Sequence, residues 1–360
     1  MKIMAMEEFS RTGGGQTFFS RFYNAVIENN ELSLITDKNS KSNLQFSELF
    51  RTSFAYREGI NLLTLVLSVK RLRKEIGEIM ARHNYDIVFN NHPNMFLYNG
   101  DVNYLHGFSF LDSIIDENGE IKNKYLFHAI KESRIYDIYD GANFLTHGKF
   151  TLDLSKKLFP ILGILPHRLD YIFIPVDKFY NIDFSDKRNA VLTFGRINEQ
   201  KNLELVLNTA KNMGDIEFVI AGAVNDGDEG YFHKLERIAP PNLKIVKNPN
   251  EEEKVNLYRR AKVYLHAKRN EHYGIAVAHA ISYGCVPVVP ESGGPWVDII
   301  EMGNYGIGYK ENPVDAIKNA LDVNLEFSKT ILQSRVRFSA PIFTERLLDF
   351  LDSTVKNKGN

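Results

Sequence analysis

The sequence predicts an α/β protein built from two doubly wound parallel-sheet domains. Three observations lead there. From Ala190 onward, short β-rich runs alternate with helical stretches; a similar, less regular alternation runs through the first half. The chain of 360 residues, at roughly 100–200 residues per domain, suits two such units. Strand–helix alternation at this spacing implies βαβ units and a sheet covered on both faces, and right-handed crossovers make it doubly wound.

In the second half the predicted strands are Val191–Phe194, Ile216–Ala221, Leu243–Val246, Val263–His266, Val286–Val289 and Tyr305–Tyr309. The predicted helices are Leu203–Asn212, Tyr231–Ile238, Glu251–Ala261, Ile275–Tyr283, Trp296–Ile300 and Val314–Leu321. Most carry apolar residues three and four apart. In the first half, Ile3–Met6, Leu32–Thr36, Ile87–Asn90, Val102–His106, Ala142–Thr146 and Tyr171–Ile174 read as strands, with a helix over Thr17–Glu28. The expected division is 1–178, 179–325 and an amphipathic helical segment 326–360 that packs back on the first domain. Two such sheets would present their carboxyl ends to a common cleft, where ligands of doubly wound folds bind.

Composition excludes several function classes. Lys+Arg number 44 and Asp+Glu 45, for a net charge of −1, which argues against a nucleic-acid partner held by bulk charge. Cys285 is the single cysteine, so an internal disulfide framework and a Cys-based zinc cluster are excluded and a reducing, cytoplasmic setting is expected. The start, Met1 to Glu8, turns acidic before a signal-peptide core could form. The longest apolar run, Ile60 to Val69, is about half the roughly 20 residues a membrane span requires. Lys70, Arg71, Arg73 and Lys74 follow it. That pattern reads as a half-buried helix with a cationic last turn, or as a peripheral contact with the cytoplasmic face of a membrane.

Three loops carry the candidate chemistry. Gly195-Arg196 leaves one strand and Lys201 enters the next helix, so two cations and helix amides could hold a diphosphate. Glu271-His272-Tyr273-Gly274-Ile275 leads from another strand into a helix whose free amides favour a negative group. Ser292-Gly293-Gly294 forms a glycine turn that could turn backbone N–H groups toward a ligand. Each is weak alone, since solvated basic loops, acidic helix starts and tight βα turns are common. All three follow strands of one sheet at the carboxyl end.

Together they resemble the nucleotide-sugar half of GT-B glycosyltransferases, in particular glycosyltransferase family 4. The matching motifs are G-R-x(4)-K at Gly195, Arg196 and Lys201, the E-H-Y-G-I run at Glu271–Ile275, and the S-G-G turn. NEHYGI and SGGP look most like mannosyltransferases acting on polyprenol-linked oligosaccharides. The resemblance covers roughly residues 190–325. The first half matches more thinly: Gly13-Gly14-Gly15 after the first strand, His106 at a strand end, Thr146-His147-Gly148-Lys149-Phe150-Thr151, and Ile174-Pro175-Val176-Asp177.

The resemblance implies transfer of a sugar from a nucleoside diphosphate to a glycan or polyprenol-linked hydroxyl. It implies retention of configuration by front-face attack with the departing phosphate as base, and no metal or other cofactor. Arg196 and Lys201 would stabilise the leaving charge, Glu271 would hold sugar hydroxyls, and His106 would touch the sugar from the other domain. Gly14, Gly15, Gly195, Tyr273, Gly274, Ile275, Ser292, Gly293 and Gly294 would complete the donor site. One departure stands out: the family's E-x(7)-E pattern puts a ribose-binding glutamate at the position of His279, and a neutral imidazole accepts one hydrogen bond rather than two. A non-catalytic nucleotide-sugar-binding module supporting a partner, or a GT-B-shaped epimerase, is therefore a rival reading. Asp226-Gly227-Asp228, a D-x-D, reads as an ordinary acidic turn.

Overall fold

The structure is a computed structural model that describes residues 1–9, 14–38, 40, 42–52, 62–107, 121–176 and 178–358. The chain divides into two compact units, Met1–Pro175 with Ala340–Asn360, and Val176–Ser339. Each is a parallel sheet with helices around it, and the architecture is GT-B, two Rossmann-like doubly wound domains.

The first unit contains β1 (Lys2–Met6), α1 (Gly14–Val26), β2 (Glu31–Asp37), β3 (Leu49–Thr52), α2 (Leu62–Arg82), β4 (Ile87–Asn90), α3 (Pro93–Phe96), β5 (Val102–Leu105), α4 (Lys124–Ser133), β6 (Asn143–Thr146), α5 (Lys149–Leu162) and β7 (Arg168–Tyr171). Its seven strands lie in the order β3-β2-β1-β4-β5-β6-β7, all parallel where they pair. Strand order reverses between β1 and β4, which opens a crevice at their carboxyl ends. Phe18, Phe22 and Val26 recur every fourth residue on α1 and are fully buried, as an amphipathic helix on a sheet requires. Phe22 stacks on Phe89 of β4 with ring centroids 4.2 Å apart. Phe18 also meets Phe343, centroids 5.8 Å apart, which docks α12 (Ala340–Lys358) on α1.

The second unit contains β8 (Arg188–Phe194), α6 (Leu203–Lys211), β9 (Glu217–Gly222), α7 (Glu229–Ile238), β10 (Leu243–Lys247), α8 (Glu251–Arg260), β11 (Ala261–Leu265), α9 (Ile275–Ser282), β12 (Val286–Pro290), β13 (Ile307–Tyr309), α10 (Val314–Asp322) and α11 (Leu325–Gln333). Its six strands run β10-β9-β8-β11-β12-β13, and here the order reverses between β8 and β11. Local chemistry sets the helix ends. At α8 the Asn250 side chain accepts from the Glu253 amide, while the Glu253 carboxylate accepts from the Asn250 amide, a reciprocal cap. Glu251–Glu253 in its first turn and Arg259–Arg260 in its last suit the helix dipole.

Three local expectations change. The predicted strand Tyr171–Ile174 ends where it was to begin: β7 is Arg168–Tyr171, and Ile172 and Ile174 are buried in the segment that leaves it. Their alternation reflects burial and not strand pairing. β3 was not predicted, because an edge strand with Leu49 half exposed lacks an apolar run. The helix placed near Ile60–Val69 continues to Arg82, so the basic cluster lies mid-helix and not in a last turn; Ile60 and Asn61 lie outside the described residues. Arg73 points inward and donates to the carbonyls of Leu97 at 2.8 Å and Ile135 at 2.9 Å. Arg71 and Lys74 pair along the helix with Glu75 and Glu78. Among the described residues no helix is long and apolar enough to cross a membrane.

Candidate active site

The reversal between β8 and β11 gathers the predicted residues of the second unit. β8 runs through Phe194 into Gly195, whose amide donates to the Ala221 carbonyl at 3.0 Å. Gly222, at the end of neighbouring β9, lies so close that a Cβ there would sit 1.5 Å from the Gly195 carbonyl oxygen. Gly195 is thus held by a glycine that no motif marked. The loop is pinned beyond it by fully buried Ile197, whose amide donates to the Ala223 carbonyl at 2.8 Å. Asn202, at φ 54°, turns the chain into α6 and ties the loop to the end of β11 through the Ala267 carbonyl at 3.2 Å.

Lys201 and Glu271 meet directly: the Lys201 ammonium donates to Glu271 Oε2. Lys268, not predicted, stands 3.6 Å from the other carboxylate oxygen. Burial alone would push the Glu271 carboxyl up, but Lys201, Lys268 and His266 outweigh it and hold it well below the usual carboxylate range. Burial also lowers Lys201, and Glu271 offsets part of that. His266, buried at the end of β11, is lowered to about 4, first by burial and then by the nearby lysines, against the pull of Glu271. It is neutral at pH 7, and among the described residues its buried Nε2 has no hydrogen-bond partner, like the buried Oδ1 of Asn198 in the Arg196–Lys201 loop.

Two reasons given for the predicted residues change. Arg196 is exposed, with neither ion pair nor hydrogen bond among the described residues, so the fixed cations at Glu271 are Lys201 and Lys268. The glycines of the S-G-G turn serve packing first. A Cβ on Gly293 would lie 2.6 Å from the Glu271 carbonyl oxygen and one on Gly294 would lie 2.2 Å from that of His272. The Gly294 amide is already used, donating to the Glu271 carbonyl at 2.8 Å, so it does not face a ligand. Ser292 Oγ accepts from the Asn270 amide at 3.3 Å. Gly274, at φ 96°, opens α9 and abuts the Pro295 ring, where a Cβ would approach to 2.8 Å. Among the described residues the Ile275 and Ala276 amides of the first turn of α9 find no acceptor and remain as orphan donors. Tyr273 is buried below this turn, and His279 is buried in the second turn with its ring 6.3 Å from that of Tyr258.

The first unit carries its own polar cluster at its own reversal point. Glu7 follows β1, Asn91 and His92 follow β4, His106 follows β5 and His147 follows β6. Glu7 is 0% exposed and accepts from the Asn91 amide group, and its other oxygen lies 2.9 Å from His92 Nε2. Asn91 Oδ1 lies 3.0 Å from His106 Nε2. The His92 and His106 rings are 4.9 Å apart, and those of His106 and His147 6.4 Å. Burial, followed by His92 and His147, depresses His106 well below the usual histidine value, so it is neutral. Gly15 faces the cluster, where a Cβ would sit 2.8 Å from His92 Cε1. Gly14 begins α1, whereas Gly13 and Asp177 lie outside the described residues.

Sequence reasoning found His106 and Gly15 but not Glu7, Asn91 or His92. The available signal was the run of polar residues directly after the apolar strands β1 and β4. Asp226-Gly227-Asp228 forms a short turn without buried residues. Among the described residues, no group of three or more His, Cys, Asp or Glu side chains could hold a metal ion.

Comparison with known proteins bears on the family and the fold. The chain is 36% identical over 104 residues to glycogen synthase of Desulfitobacterium hafniense, covering 28% of this chain and 22% of that protein. It is 22% identical over 297 residues to the GDP-Man:Man(3)GlcNAc(2)-PP-Dol alpha-1,2-mannosyltransferase of Dictyostelium discoideum, covering 69% and 57%. The matched segments thus span less than two thirds of either relative. The crystal structure of Anabaena Alr3699/HepE in complex with UDP and glucose superposes with a TM-score of 0.70 at 13% identity, over 98% of this chain and 100% of that one. Residues 177–338, within the second unit, match the family model for glycosyl transferases group 1, in a chain of GT-B fold.

Proposed function

We propose that this protein is a glycosyltransferase that moves a sugar from a nucleoside diphosphate to a hydroxyl of a glycan or lipid-linked acceptor. The observation that carries the reading is Glu271 held between Lys201 and Lys268 at the strand-order reversal of the group 1 domain. Loss of the diphosphate builds negative charge on its oxygens. Lys201 and Lys268, with the Ile275 and Ala276 amides, oppose that charge from preset positions, and exposed Arg196 adds to them. Glu271, ionised throughout the neutral range, accepts hydrogen bonds from donor-sugar hydroxyls, and neutral His106 contacts the transferred sugar.

The reaction runs with retention of configuration and without a metal, as the family 4 resemblance implies, because fixed cations take the metal's place. A nucleotide-sugar donor accords with the UDP-bound structural neighbour, and a lipid-linked glycan acceptor with the dolichol-linked name of the mannosyltransferase relative. Leu67, 58% exposed, beside Lys70, Arg71 and Lys74 on α2 supports a peripheral contact with an anionic, cytoplasm-facing membrane surface. The buried His279 at the family's glutamate position favours the second reading, a module that binds a nucleotide sugar without turnover.

Incubation of the pure protein with labelled UDP-glucose or GDP-mannose and a membrane lipid extract separates the two. Label in lipid or glycan supports the transferase. Binding of either donor without label transfer leaves the module.

A further inference from the structure

The Lys201–Glu271 pair joins two loops, whereas the Lys268–Glu271 pair lies within one. Lys201 ends the short turn Glu199–Lys201 before α6 and is 70 positions from Glu271 in the chain. Lys268 and Glu271 are three residues apart in the segment after β11. Asn270, at φ 50°, turns that segment so that the Lys268 ammonium comes back toward the carboxylate. The backbone is fixed at both residues: His266 hydrogen-bonds to the Lys268 backbone, and the Glu271 carbonyl accepts from the Gly294 amide at 2.8 Å. Lys201, by contrast, lies near Arg196, whose charge opposes its own. An anion that settles beside Arg196 relieves that repulsion by drawing on the Lys201 ammonium.

Once Lys201 turns to a diphosphate, Glu271 loses its hydrogen-bonded partner. Its side chain is 18% exposed, and a largely buried carboxylate without a paired charge either takes up a proton or moves toward water. Lys268, 32% exposed, stands 3.6 Å from the other carboxylate oxygen, a few tenths of an ångström short of a hydrogen bond. We propose that Lys268 is a positioning residue that holds Glu271 ionised and in place while the donor diphosphate takes Lys201. The inference rests on the transferase reading above and divides the work of the two lysines. In the free protein both neutralise Glu271; in the donor complex Lys201 serves the diphosphate and Lys268 the carboxylate. No proton moves in the exchange, so Glu271 stays able to accept from sugar hydroxyls.

The titratable groups facing Glu271 are Lys201 from the loop after β8, Lys268 and His266 from the end of β11, and Tyr264 within that strand. The Ser292–Gly294 turn brings no titratable side chain. His266 is lowered to about 4, so at neutral pH it carries no charge that could replace a lysine. With one lysine drawn to the diphosphate and the other removed by substitution, burial is the main influence left on Glu271, and burial raises a carboxyl.

The test compares wild type, Lys268→Gln and Lys268→Arg, with UDP-glucose or GDP-mannose as the donor and melting curves to show that each protein is folded. Calorimetric titration at about pH 6, in two buffers of different ionisation enthalpy, reads the protons taken up on donor binding. Wild type and Lys268→Arg should take up none, and Lys268→Gln a substantial fraction of a proton. In transfer assays the acid limb of kcat for Lys268→Gln should move up by about 1–3 pH units. The limb of kcat/KM, which reports the free enzyme where Lys201 still holds Glu271, should move less. A lysine with a merely structural role would move neither. If Lys268→Gln does not fold, Lys268→Met, which keeps the apolar stem, takes its place. Proton uptake by wild type overturns the proposal and leaves the transferase reading intact. So does a folded, uncharged Lys268 variant that binds donor without uptake or keeps the wild-type kcat limb. Uptake by that variant alone, without label transfer by wild type, supports the exchange of partners and overturns the transferase reading. Failure of wild type to bind either donor overturns both.

Discussion

Lys268 Nζ stands 3.6 Å from Glu271 Oε1, the carboxylate oxygen that the Lys201 ammonium leaves open. The Glu271 carboxylate is therefore clamped from both sides, by one lysine from the loop after β8 and one from the segment after β11. Lys201→Ala and Glu271→Ala should each abolish transfer in a folded protein. Glu271→Gln keeps the shape and removes the charge, at an expected cost of about 1–3 kcal/mol, less than a fully buried broken pair because both partners retain some solvent contact. The Glu271 pKa is depressed in the folded state, so its stabilisation is complete above the unfolded carboxylate value and is lost only as pH falls through the folded one. Melting temperatures of wild type and Glu271→Gln should thus differ at pH 7 and converge in strong acid. Equal values at pH 7 would refute the clamp.

Gly222 and Gly294 are backbone-contact positions, and alanine at either should disturb the site more than the loss of a surface side chain. The added carbon would fall 1.5 Å from the Gly195 carbonyl oxygen in the first case and 2.2 Å from the His272 carbonyl oxygen in the second. Both neighbours are backbone and cannot rotate away. We expect Gly294→Ala to displace the turn from Glu271, lower stability by about 1–3 kcal/mol and raise donor KM at least tenfold. Calorimetry and steady-state kinetics check it, and an unchanged KM would mean that the turn does not organise the donor site.

His279 tests the ribose contact. His279→Glu restores the family's carboxylate at a buried position near the Tyr258 ring. Burial penalises the ionised form, so the variant should melt lower than wild type while its affinity or preference between UDP- and GDP-sugars changes. Unaltered donor selection would exclude a role for this position in nucleotide recognition.

The cations of α2 divide into structural and surface groups. Arg73→Met should lower stability by about 1–3 kcal/mol, because the Leu97 and Ile135 carbonyls lose their donor, and vesicle binding should be unchanged if measured on folded protein. Lys70→Gln with Lys74→Gln should leave the melting temperature within a degree or two and weaken sedimentation with phosphatidylserine vesicles. Wild-type protein that fails to bind such vesicles at low salt would dispose of the membrane contact.

Much of the second unit was legible in sequence because its strands are continuous apolar runs and its helices have clear apolar periodicity. The same features located the loops of Gly195–Lys201, Glu271–Ile275 and Ser292–Gly294, since each loop joins a readable strand to a readable helix. The first unit was harder. β3 is too short and exposed to show a pattern, and the buried residues after β7 imitate the alternation of a strand. Glu7, Asn91 and His92 are short-range silent: Glu7 and His92 are 85 positions apart, and nothing local says that a glutamate after one strand will bury itself against a histidine after another.

The sequence by itself determined the two parallel-sheet domains and the strand-end loops in which Lys201 and Glu271 lie. Local pattern suffices for these, because period and turn chemistry act over a few residues. Tertiary structure alone decided which side chains meet there. Parallel sheets join strands far apart in the chain, so strand order brings Lys201 to Glu271, Gly222 to Gly195 and Glu7 to His92. Burial and neighbouring charge together set the protonation states: two lysines keep Glu271 ionised against its burial, and burial with the neighbouring histidines keeps His106 neutral.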